Sequence, residues 1–268
     1  MDDLINIHLG SDILKVKLSI FSFLLLAHFV SQSQVNIHDF HSEFEQNSFN
    51  ENSENALALL LASDQSMTVD KYTEFESEFS DMLDKLRRTK TRSRSNSQFL
   101  EKAFYQVHRK NLNWYENYVS FAQTLESKKY DCLTGTALYA LILDKMEIPY
   151  KVLEFDFHIF LLAEADGKEM LIEATDPLDG FITDADEIER RIKSSLLNEQ
   201  YKDQYYRTYL QNEINLVELA GLQYYNLAVD LFNKKKYKEA KSFIKKANVL
   251  YPSERIQQTA RLITSVSL

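Results

Sequence analysis

Cys132, His158 and a carboxylate at Glu173 or Asp176 are the residues of this chain whose types and order could support nucleophilic chemistry. A thiol attacks a carbonyl carbon as its thiolate. It therefore needs a lowered pKa, a base or cationic partner within reach, and a group that orients that partner. Cys132 is the only cysteine. It begins "CLTGTALYALILDKM" (132–146), the most apolar helix that the pattern predicts, directly after Asp131. Asp131 is a candidate N-cap, and a helix N-terminus lowers a thiol pKa through its dipole and free N–H groups. A carboxylate beside a thiol acts the other way, so Asp131 has to point into the helix backbone.

Two histidines are candidates for the base. His108 falls on a predicted helix (98–112) with no neighbour resembling a ligand or base, which makes it a surface or half-buried helix residue. His158 falls in "KVLEFDFHIFLLAEADGKEMLIEATDP" (151–177), rich in β-branched and aromatic residues. Asp166-Gly167 is a strong hairpin signal there, and it predicts two antiparallel strands at about 151–164 and 168–175. A turn made of those two residues alone pairs Phe160 with Glu173 and His158 with Thr175. Glu173 is then the diagonal neighbour of His158 on one sheet face and can reach the far ring nitrogen. A longer loop would shift the parity and favour Asp176, which is the reserve orienter. For the oxyanion, the backbone N–H of Cys132 and the indole of Trp114 are candidate donors.

Other elements must frame this hairpin. Apolar spacing predicts helices over 54–64, 70–88 and 98–112. "RRTKTRSRS" (87–95) has no apolar residue and is read as a solvated loop. After Pro177 and Asp179-Gly180 the chain turns helical again, with Thr183 as the expected cap of "DADEIERRIKSSL". "GLQYYNLAVDLFNKKKYKEAKSFIKKANVLYP" (221–252) resembles one tetratricopeptide repeat. Tyr224, Leu227 and Leu231 are large where that repeat is large. Ala228, Ala240 and Ala247 are small where its helices approach, and Pro252 closes it. One repeat cannot bury its own faces, so a helix at roughly 204–219 and another from Ser253 are expected to cover it.

The order of a helix-start Cys, a strand His and an acid-x-Thr on the next strand is similar to the transglutaminase-like core of the papain-like superfamily. The pieces that carry the likeness are "YDCLTGTALYALILDKMEIPYKV", "HIFLLAEADGKEM" and "LIEATDP", within about 125–180. The resemblance implies an α+β fold in which a central helix carrying Cys132 packs on a small antiparallel sheet. It also implies attack on an amide carbonyl through a thioester acyl-enzyme and a protein or peptide substrate; no cofactor is expected, and no metal, because the sequence has neither acidic calcium-loop spacing nor a second His or Cys at ligand spacing from His158. The family commonly has Asp where Glu173 stands and an aromatic where Leu133 stands. The competing expectation is an inactive scaffold of the same fold that holds a protein partner together with its helical repeat.

The rest of the chain bounds these expectations. Its 268 residues carry a net charge of −9, which gives phosphate backbones no basic surface and argues against nucleic acid. "LSIFSFLLLAHFV" (18–30) follows Lys15 and Lys17 and precedes "SQSQ", the order of a signal peptide cleaved after Ser33. The expected product is exported, periplasmic or secreted, and would meet a membrane only if that segment stays uncleaved. Domains are expected as signal peptide 1–33, polar leader 34–55, transglutaminase-like domain 56–182, and helical region 183–268 with its repeat at 221–254.

Overall fold

The chain after Asp131 switches from a helix that is apolar all round to strands that are apolar on both sides, and the two form the centre of the molecule. The computed structural model describes residues 39–50, 53–156, 158–196 and 211–266. The apolar stretch 18–30 and the expected cleavage after Ser33 lie outside the described residues. Among those described, no helix is long and apolar enough to cross a membrane.

The fold is α+β. The first helices are α1 (Glu43–Asn50), α2 (Ala56–Ala62), α3 (Val69–Thr91) and α4 (Asn96–Asn111). A short parallel pair, β1 (Trp114–Tyr115) and β2 (Lys129–Tyr130), flanks α5 (Phe121–Ser127) and delivers the chain to α6 (Cys132–Lys145). Then follow β3 (Tyr150–Phe155), β4 (Ile159–Ala165), β5 (Lys168–Ile172), β6 (Phe181–Ile182), α7 (Ala185–Leu196) and β7 (Gln211–Ile214). Helices α8 (Leu216–Asn233), α9 (Tyr237–Leu250) and α10 (Glu254–Val266) complete the described chain.

The sheet is antiparallel in the order β6-β5-β4-β3-β7. Ile159, Leu161 and Ala163 of β4 join the large core around α6, whose residues from Leu133 to Leu143 are all buried. Phe160 and Leu162 face the opposite way and close a smaller core with Leu153, Phe155 and Ile188 of α7. A sheet covered on both faces has no polar face, so its strands read as continuous apolar runs.

That continuity explains a difference from expectation. The stretch 151–164 is two strands, and the chain reverses between Phe155 and His158, where Phe155 N donates to His158 O at 2.8 Å. His158 therefore stands at a hairpin end and not within a strand. The second hairpin is as expected: Asp166 and Gly167 both have positive φ, as a tight two-residue turn of this hand requires, and Leu161 pairs with Ile172. The last expected strand stops at Ile172 rather than 175.

Other boundaries moved for similar reasons. Residues 211–214 of the expected helix 204–219 are the edge strand β7, paired with β3, and Asn215 caps the helix that follows. The sheet thus includes chain from both sides of the expected boundary at 182. The basic run is half helix: α3 continues to Thr91, which puts Arg88 and Lys90 at its negative end, and Ser95 caps α4. Asp184, not Thr183, caps α7 through Glu187 N at 2.9 Å. The polar leader holds a helix, α1. Glu45 on it is fully buried against the equally buried Lys246 of α9 at 2.8 Å, a partner too distant in sequence to be visible there.

Candidate functional site

Cys132 occupies the first helical position of α6. Asp131 caps the helix as the chemistry demands: its Oδ1 accepts from Thr134 N at 2.8 Å, and Thr134 Oγ1 returns a bond from Asp131 N. A further N–H, from Tyr118, reaches the same carboxylate. Tyr118 has φ 61, left-handed backbone that a bulky residue adopts only when its surroundings impose it. The parallel pairing of β1 with β2 fixes this arrangement, because Tyr115 lies beside Tyr130 just before Asp131.

His158 and Glu173 come together. His158 Nε2 lies 3.1 Å from Glu173 Oε1, with the imidazole 27% exposed and the carboxylate 13%. Thr175 Oγ1 donates to the same oxygen at 3.2 Å, and Arg191 of α7 donates to Oε2 at 2.8 Å. Burial pushes the Glu173 carboxyl up, but the His158 bond and the charges of His158 and Arg191 outweigh it and hold the pKa below the usual carboxylate value. With Nε2–H donating to Glu173, a neutral ring carries its lone pair on Nδ1 and can take up a proton there.

Asp176 does not meet His158 in this way. Its Oδ1 accepts from Leu178 N and Asp179 N, and its Oδ2 faces Arg191 at 3.4 Å, so it shapes the loop after β5. His108 is buried, with Nε2 3.0 Å from Ala174 O, and burial pulls its pKa down. It props the segment that carries Glu173 and is more enclosed than its helix pattern suggested.

Cys132 and His158 line one cleft of about 680 Å³. Trp114 is 68% exposed and does not line it; its neighbours Tyr115, Asn117 and Tyr118 do. Tyr115 Oη donates to Asn117 Oδ1 at 3.0 Å. Sequence reasoning missed these residues. Their signal was only adjacency to Trp114, and a two-residue strand has no periodicity to read. Among the described residues, no three His, Cys, Asp or Glu side chains gather as a metal would require.

No family model, curated protein or solved structure matches this chain. Its chemistry has to be argued from the cleft itself.

The thiol differs from expectation. Burial pushes the Cys132 thiol up to about 12, and the Asp131 carboxylate adds to this, as Glu173 does more weakly. The N–H groups of Leu133 and Cys132 pull the other way and lose. The helix start is present, but its half-charge does not overcome desolvation and two carboxylates. The raised pKa favours the thiol form, so attack calls for a base to take its proton.

Proposed function

We propose that this chain is a transglutaminase-like cysteine hydrolase or acyltransferase acting on amide or peptide carbonyls. One observation carries the reading. The helix-start Cys132 shares a cleft with His158, whose Nε2 is bound to a half-buried, ionised carboxylate. The central-helix-on-sheet arrangement of α6 and β3–β5 supports the same family, and α8–α9 carries the residue pattern of one tetratricopeptide repeat. The segment 18–30 supports export, with cleavage after Ser33.

The chemistry runs in two halves. As Sγ of Cys132 bonds to the substrate carbonyl carbon, its proton passes to Nδ1 of His158, and Glu173 stabilises the imidazolium that forms. The oxyanion lies over the helix start, near the Cys132 N–H, with the Asn117 side chain in the same cleft. Collapse breaks the C–N bond. The leaving amine takes the proton from His158 and a thioester remains. Water or an amine then attacks with His158 as base, and the thiol returns with release of an acid or a new amide.

A second reading rests on the raised thiol pKa: Cys132 is a packed residue of an inactive scaffold that binds a partner. Alkylation by iodoacetamide near neutral pH separates the two. If His158 serves Cys132, His158→Ala slows alkylation by about tenfold or more, within the range of general-base assistance. An unchanged rate means that the imidazole does not reach the thiol, and the enzyme reading falls.

A further inference from the structure

The far wall of the cleft belongs to the helical repeat. Leu222, Tyr225, Asn226 and Val229 of α8 line it, spaced as one face of a helix and opposite Cys132 and His158. Tyr225 and Val229 offer partly exposed apolar surface beside the buried Leu222. The Asn226 amide makes no hydrogen bond among the described residues, so a carboxamide donor and acceptor stand unused at the wall. The Arg255 guanidinium lies over the Tyr225 ring, 5.1 Å from its centroid.

Charge narrows the occupant. Asp131 is occupied in capping the helix. Glu154 is paired with Arg255 and Tyr251. Asp156 is exposed at the lip, two positions before His158, and its carboxylate makes no hydrogen bond among the described residues. Asp156 lies in the field of Arg255, but of the cleft's charged side chains Asp131, Glu154, Asp156 and Arg255 three are carboxylates, an excess of negative charge. It disfavours an acidic group beside the reacting carbonyl, while the α8 face favours a bulky apolar one.

We propose that this face of α8 is the substrate-binding wall of the Cys132 cleft, taking a polypeptide segment with a bulky apolar side chain next to the reacting carbonyl. The apolar side chain packs against Leu222, Tyr225 and Val229, and the Asn226 amide bonds the segment's main chain. An extended peptide suits this pattern because it presents side chain and main-chain amide side by side. The repeat then serves the reaction directly, by supplying half of the site, and does not act as a separate adaptor. This rests on Cys132 being the nucleophile, and the test separates the two claims.

The probes are tripeptidyl chloromethyl ketones with Phe or Asp beside the warhead, and iodoacetamide serves as the side-chain-blind control. Labelling of Cys132 in the full chain is followed by intact mass. The Phe probe is expected to label faster than the Asp probe by about tenfold or more, the scale of discrimination an apolar pocket gives. Val229→Arg is expected to reverse that preference once each peptidyl rate is divided by the same protein's iodoacetamide rate; a variant that merely misfolded could not gain reactivity toward the Asp probe. Asn226→Leu is expected to slow both peptidyl probes alike. If Cys132 reacts with iodoacetamide in a His158-dependent way but the two peptidyl probes label equally and Val229→Arg changes nothing, the wall proposal is overturned and the nucleophile stands. If iodoacetamide labelling shows no dependence on His158, the nucleophile reading fails, and the wall proposal with it.

Discussion

At the scale of single residues, Glu173 shows how a carboxylate can be both structural and chemical. His158, Thr175 and Arg191 all contact it. Its pKa in the folded chain is below the ordinary value of about 4.3. A depressed carboxyl stabilises the fold above its unfolded pKa, and that contribution fades as pH falls through its folded pKa. Glu173→Gln should therefore lower the urea midpoint at neutral pH, and the gap to wild type should close in acid. Urea melts at neutral and acidic pH measure this, and a gap constant with pH would contradict the assignment. Asp131 is the contrasting case. Its cap geometry is what the sequence predicted, yet its charge still works against the thiol. A sequence names neighbours but cannot say how far burial strengthens their fields.

At the scale of elements, the contact between α6 and the end of β5 sets the site. Gly135, one turn into α6, lies against Ala174; a Cβ there would come 2.7 Å from the Ala174 Cβ and 3.3 Å from the Tyr130 ring. Helix propensity alone favours Gly135→Ala by up to about 1 kcal/mol. Overpacking against a β-carbon costs roughly 1–3 kcal/mol and should win. The variant should be less stable in urea, and because Glu173 and Thr175 flank Ala174, its Cys132 alkylation should lose part of its His158 dependence. Much of this element layer was legible. Caps, apolar spacing and the Asp166-Gly167 turn are local signals, and they located α3, α4, α6 and the β4–β5 register. The break at Asp156 was not legible, because strands buried on both faces show no alternation to interrupt. Strand β7 was missed because its reason for being extended is β3, far away in the chain.

At the scale of the whole molecule, Glu154 joins sheet to repeat. It is 1% exposed and bonds Arg255 of α10, Tyr251 Oη at 2.6 Å and Asn212 of β7 at 3.2 Å. Arg255→Met should destabilise the chain by roughly 1.5–3 kcal/mol, the worth of a bond to a charged group. Adding Glu154→Gln should restore much of it, since the cost is chiefly a buried carboxylate without its cation. A double-mutant cycle in urea reads this coupling; additive losses would mean that the pair does not hold the tail.

The sequence by itself determined what lies within a turn or a hairpin of each residue: a thiol at a capped helix start, and the Asp166-Gly167 turn that pairs Leu161 with Ile172. Those outcomes follow from local backbone geometry, which a few neighbouring side chains set. Only the tertiary structure decided that burial raises the thiol's pKa, that Tyr115 and Asn117 line its cleft and Trp114 does not, and that α8 and α10 contribute to the same cleft. These depend on burial and on segments brought together from distant parts of the chain. Desolvation and long-range packing are properties of the assembled fold, and no window of sequence contains them.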